Sequence, residues 1–188
     1  MSSVNFDTIL EKSHELEDRF LRAPKSDPAL LQKIVEEQEH VLRFPSISYS
    51  DCYSLGEIIR KLYSEAKYTA PIVIDMVING HQVFHAAFDG SSPDNDAFIK
   101  RKYATVNRFH MASFRMGLMM TQGGTTMSGK YNVPEEEYGA FGGGFPITLS
   151  SGVQIGVICV SGLRQVQDHC IIVRAIAQLL QNRPTASN

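Results

Sequence analysis

The sequence predicts an α+β fold, an antiparallel sheet covered by helices, on three observations. First, Ile72 to Ile78 and His81 to Phe88 flank Asn79-Gly80. Asn-Gly is the preferred pair of a type I′ hairpin turn, where both positions need positive φ. Second, Phe145 to Leu149 and Val153 to Val160 flank Ser150-Ser151-Gly152, the signature of another hairpin. Third, a long segment with helical apolar spacing separates the two hairpins, and neither βαβ alternation nor a dinucleotide-binding fingerprint appears.

The elements follow in order. Phe6, Ile9, Leu10, Leu16, Phe20 and Leu21 recur at helical spacing with acids on the other faces, an amphipathic first helix. Ala23 to Pro28 breaks it, and Leu30, Leu31, Ile34, Val35, Val41 and Leu42 mark a second helix. Phe44 to Ile47 reads as an edge strand, since Pro45 cannot donate to a ladder. Ser50 or Asp51 caps a third helix running to about Tyr68. In the first hairpin a two-residue loop pairs Ile78 with His81, Met76 with Val83, Ile74 with His85 and Asp75 with Phe84. Both faces are apolar, so helices or another subunit should cover both. Asn95 or Asp96 caps a long helix from about Ala97 to Met120, and Thr121 to Val133 reads as a mobile loop. In the second hairpin Val153, Ile155, Val157 and Cys159 face one way. The last helix spans about Gln165 to Gln181, with a polar tail after it.

The 188 residues suffice for one domain with a proper core, and a net charge of −2 gives no pull toward nucleic acid or anionic membrane. Cys52, Cys159 and Cys170, an odd set without C-x-x-C spacing, read as buried thiols. Met1 to Leu10 lacks the basic and apolar regions of a secretory signal, Ser2 excludes myristoylation, and no apolar run reaches membrane-span length. The expectation is a soluble cytoplasmic protein.

Several residues could carry chemistry. Lys100-Arg101-Lys102 lies in the first turns of the long helix, where cations oppose the macrodipole. They either form an anion pocket with helix amides or pair with Asp94, Asp96 or Glu135 to Glu137. Asp168 in the first turn of the last helix is favoured by the dipole and needs no function. His169 could be a general base, but no nucleophile is identifiable near it, so a structural histidine held by a backbone carbonyl is the reading. His81 and His85 share a face but sit too far apart along a strand for one metal, and His110 lies on an apolar stripe. The Gly142-Gly143-Gly144 run is no phosphate loop and instead permits close backbone packing. Met111, Met116, Met119, Met120 and Met127 form either an adaptable surface or core packing. No residue is assigned as catalytic or as a metal ligand.

Three ordered segments carry a family resemblance. They are Asp89-Gly90-Ser91-Ser92-Pro93-Asp94-Asn95 running on to Phe98-Ile99-Lys100-Arg101-Lys102, then Phe141-Gly142-Gly143-Gly144-Phe145-Pro146-Ile147, then Ser161 to His169. Together they resemble the GlcG/HbpS-like, or haem-degrading-domain, proteins, over about Leu31 to Leu180. The resemblance implies a profilin-like or PAS-like domain that assembles into homo-oligomers, and haem binding or degradation in some relatives. Phe141 stands where the pattern has histidine, which removes one potential ligand. The domain plan is then a helical extension and linker over 1–28, the family domain over 29–182, and a flexible tail over 183–188. Two functions remain open. The first is a homo-oligomeric binding or scaffold protein without catalysis or cofactor, engaging a protein partner through its N-terminal helix. The second is a haem or small-anion binding protein, with Asn95, Arg101, Lys102 and His169 as candidate ligand-binding residues.

Overall fold

The computed structural model describes residues 5–23 and 27–183. Its elements run α1 (Phe6–Arg22), α2 (Pro28–Val41), α3 (Tyr49–Glu65), β1 (Val73–Ile78), β2 (His81–Ala87), α4 (Pro93–Phe109), α5 (Ser113–Gly123), α6 (Met127–Tyr131), β3 (Gly144–Thr148), β4 (Gln154–Ser161) and α7 (Gln165–Gln181). The strands form one antiparallel sheet in the order β2-β1-β4-β3. This is the predicted helix-covered antiparallel sheet with an added N-terminal helix. The middle of the first linker and nearly all of the polar tail lie outside the described residues. Arg183, the first residue assigned to that tail, is anchored, donating to Ser46 O at 2.6 Å and pairing with Asp51 at 2.9 Å.

Asn79 and Gly80 both take positive φ, 48° and 78°, as a type I′ turn requires. The turn sets the first pairs, Ile78 with His81 and Val77 with Gln82. A bulge between Met76 and Val77 then shifts the register, so Met76 meets Phe84 and Asp75 meets His85. One extra residue flips every later side chain of β2. His81 and His85 therefore sit on opposite faces, contrary to the simple ladder. His81 stacks on Tyr49 of α3, with ring centroids 5.8 Å apart. His85 Nδ1 lies 3.1 Å from Asp75, and its Nε2 lies 3.7 Å from Asp96 of α4. A second shift at Ile147/Thr148 skips Ile155, which packs with the main core instead of lying beside Val157 and Cys159.

One sheet face carries Ile74, Met76, Ile158 and Val160 into the main core, against α3 and α7. On the other face Val73, Val157 and Cys159 meet Ile99 and Val106 of α4. β1 is thus covered on both sides, while most of the edge strand β2 stays exposed or half-exposed. The apolar stripe of α1, with Ile9, Leu16 and Phe20 buried, packs on α7, and Glu17 pairs with Arg174 beneath it. That face is therefore used within the chain and is not a free docking arm.

Three local expectations need correction. The long helix is two helices, because His110 turns left-handed (φ 54°) and Glu39 of α2 accepts the Ala112 amide at 2.7 Å, which redirects α5 onto α2. The following loop contains the short α6, capped by Thr126. Phe44 to Ile47 makes only one bridge, Phe44 to Leu149, because α3 starts directly after it with a Ser48–Asp51 capping box. The methionines are core: Met116, Met120 and Met127 pack with Val133 and the rings of Phe109, Tyr131 and Tyr138. All three cysteines are buried, and burial pushes their thiols up.

His169 lies wholly inside the main-core layer, between the rings of Phe114 and Phe145. Its partner is the Gln38 side chain of α2 (Nε2 to Oε1, 2.9 Å) and not a backbone carbonyl. Burial alone lowers its pKa from 6.5 to about 3. The folded state then binds fewer protons than the unfolded chain between those values. The stability held by neutral His169 is complete above pH 6.5 and drains as pH falls toward 3, by at most about 5 kcal/mol. Urea melts across this range should show a flatter pH dependence for His169→Phe than for the native chain. At pH 7 that variant should lose about 1–3 kcal/mol through the orphaned Gln38, and Gln38→Leu added to it should restore part of the loss.

Candidate functional site

Asn95, Phe98 and Lys102 lie three to four residues apart on α4, and so share one face. Lys102 is only 2% exposed, which a cation tolerates only with full pairing. Its Nζ donates to Val160 O at 2.7 Å and to Asp168 Oδ2 at 2.9 Å. Asp168, equally buried in the first turn of α7, also accepts from the amides of Leu163 (3.0 Å) and Gly162 (3.4 Å). Burial pushes its carboxyl up, and Lys102 and the two amides pull against that shift.

The glycine run makes room for this pair. Gly143 has φ +106°, and a Cβ there would stand 2.3 Å from Val160 O and 2.6 Å from Lys102 Nζ. A Cβ on Gly142 would stand 1.9 Å from Gln165 O. These glycines serve close backbone packing.

Above the pair opens a cleft of about 440 Å³ between the N-terminal ends of α4 and α7. Phe98 and Phe141 wall it, edge to face at 5.4 Å, and Lys102 and Asp168 form its floor. Asn95 accepts the Ser92 amide (2.9 Å) and donates to Ser161 O (3.4 Å), which ties the start of α4 to the end of β4. The cap of α4 is accordingly Ser92, three residues before Asn95. α7 starts at Arg164 without any side-chain cap, so its first amides are left for solvent or a ligand.

Of the four candidate ligand residues, Asn95 and Lys102 line this cleft. Arg101 packs its guanidinium on Phe98 (5.4 Å) and Phe141 (5.1 Å) and donates to the backbone carbonyl of Glu135 (2.6 Å). It lines a smaller neighbouring hollow of about 280 Å³. His169 lines neither. The expected pairing of the basic tripeptide with nearby acids gives way to Asp168 for Lys102 and a carbonyl for Arg101. Phe98 also lines the cleft, as do Asp168 and Phe141, which sequence reasoning left without a binding role. The i, i+4 spacing of Phe98 and Lys102 was the available signal. Among the described residues no group of three His, Cys, Asp or Glu could hold a metal ion, and no helix is long and apolar enough to cross a membrane.

Removing one partner of a buried pair strands the other. Lys102→Met should cost about 3–5 kcal/mol in chemical denaturation. The Lys102→Met/Asp168→Asn double variant should cost less than the two single changes summed, a coupling that a double-mutant cycle measures directly.

A family model described as "Haem degrading protein HbpS-like" matches residues 47–177, leaving α1 and α2 outside the match. A UPF0303 protein of Schizosaccharomyces pombe is 66% identical over 94% of this chain and 98% of its own. One from Streptomyces avermitilis is 38% identical over 82% of this chain and 93% of its own. Among solved structures, the Ybr137w protein superposes with a TM-score of 0.78 at 29% identity, over 89% of this chain and 95% of its own. A PduOC:haem complex (TM-score 0.59, 21% identity, 70% and 94% covered) and HbpS (0.56, 18%, 71% and 89%) share the fold. The family match spans more than half of the sequence, and fungal and bacterial relatives align over most of theirs. The chain therefore belongs to the HbpS-like family.

Proposed function

We propose that the chain binds a flat, anionic small molecule in the cleft between α4 and α7, and that haem is the first ligand to consider. The observation that carries this is the cleft itself, with two aromatic walls beside the uncapped amide end of a helix. Aromatic faces suit a planar macrocycle, and a helix N-terminus suits its carboxylates. Membership of a family described by haem degradation supports the choice of haem over other anions. A PduOC:haem complex with the same fold is consistent with it.

The fit to haem is partial. The cleft offers ring stacking and carboxylate sites, but its lining contains no His, Cys, Met or Tyr, and the Lys102 amine is committed to Asp168 and Val160. Axial ligation of iron does not fit these residues, so no reaction at iron is assigned to them. Binding here should rest on stacking and charge. Titrations followed by fluorescence and absorbance should then give iron-free protoporphyrin an affinity close to that of haem. Phe141→Ala should weaken both about tenfold. A sharp, strongly ligated Soret band indifferent to Phe141→Ala would overturn the reading, as would no binding of either compound.

A second reading, self-association into a homo-oligomer, rests on a different surface. Tyr49 and Tyr53 are 60% and 63% exposed and flank His81 and Phe84 at the open β2 edge. Exposed rings beside the open outer edge of a strand suit a second copy of the chain. With the apolar face of α1 packed on α7, the scaffold reading keeps this surface in place of the N-terminal helix. Light scattering should give a mass above that of one chain, and Tyr53→Glu should shift it toward the monomer.

A further inference from the structure

At the other end of α4, the end of α2, the α4–α5 joint and the β3–β4 turn enclose a hollow of about 330 Å³. It is separate from the aromatic cleft and owes nothing to the haem reading. Its lining includes Glu36, Glu39, Arg43, His110, Arg115 and Gln154. Arg43 Nε, Arg115 Nε and Gln154 Oε1 are buried without a hydrogen-bond partner, half of the six such side-chain atoms among the described residues. Buried polar groups in native proteins are nearly always bonded, so two orphaned donors and one orphaned acceptor in a single hollow point to a ligand that offers both kinds of group. His110, at its edge, holds a left-handed conformation unusual for a residue with a side chain.

The charges divide the hollow into two poles. Arg115 is held through its two terminal nitrogens by Glu36 (3.1 Å) and Glu39 (3.0 Å), so its charge is already answered and only its Nε is left for a ligand acceptor. Arg43 has no hydrogen bond or ion pair among the described residues, and it supplies the positive pole. Glu39 also accepts the Ala112 amide just before α5, and burial nevertheless pushes its carboxyl up to about 7 against the pull of Arg115. The two carboxylates thus share one guanidinium and are short of positive charge. Gln154 donates its Nε2 to Val106 O at 3.4 Å, which leaves its oxygen as the free end.

We infer that this hollow binds a free amino acid, or a similar small zwitterion, with its carboxylate on Arg43 and its ammonium between Gln154 Oε1 and the Glu36–Glu39 pair. A simple anion would answer Arg43 and leave the acceptor side unmet. A simple amine would do the reverse. The volume is at the low end for ligand pockets, in keeping with a small molecule.

The test is a titration of the full chain with each common amino acid, with acetate and with methylammonium, followed by amide NMR shifts at Gln154 and His110. At least one amino acid should produce saturable shifts, with acetate and methylammonium at least about tenfold weaker. Arg43→Met removes no observed bond and should leave the melting temperature in place, yet weaken the amino acid about tenfold or more. Gln154→Leu should weaken it as well. Phe141→Ala, in the other cleft, should not. Acetate binding as well as the best amino acid would overturn the inference in favour of a plain anion site. So would the absence of saturable shifts with every compound, or binding that survives both Arg43→Met and Gln154→Leu.

Discussion

The buried pair of Lys102 and Asp168 is the constraint on which the arrangement around the cleft depends. A charge that deep must meet its partners at bonding distance, and each requirement falls on a different segment. Val160 at the end of β4 must lend a carbonyl. The turn of Gly162 and Leu163 must aim two amides at the carboxylate. Gly143 must do without a side chain, since a Cβ there would collide with the lysine amine. A helix, a strand end, a turn and a glycine run are thereby brought to one point, and the cleft is the space above it.

Much of the fold can be read from the sequence because it is governed by local chemistry. Asn79-Gly80 sets a hairpin whatever else the chain does, and the apolar stripes of α1, α3 and α7 fix their buried faces. The errors fall where distant residues intervene. The Met76/Val77 bulge leaves no mark in a ladder-compatible sequence, and one displaced residue inverts the remainder of β2. The break at His110 has neither glycine nor proline to announce it. It is stabilised by Glu39, more than seventy residues earlier in the chain.

The site was legible in its motifs and obscure in its roles. Asn95, Lys102, Phe141 and Asp168 all lie in the three recognised segments, but their spacing could not show that Lys102 pairs with Asp168 at the end of β4. Arg101 and Lys102, adjacent in sequence, point to different surroundings, one against aromatic rings and one into the interior. His169 follows Asp168 directly and faces the opposite layer, bonded to Gln38. Neighbours on a helix are about 100° apart, so a motif read as a unit is divided among separate environments.

The bulge in β1 and β2 has a mechanical consequence. By turning His85 toward α4, it places one imidazole between Asp75 of the central strand and Asp96, one residue beyond Asn95. The exposed edge strand and the mouth of the cleft are thus brought within reach of a single side chain. A copy of the chain that gripped the sheet edge would also be holding the rim of the ligand cleft.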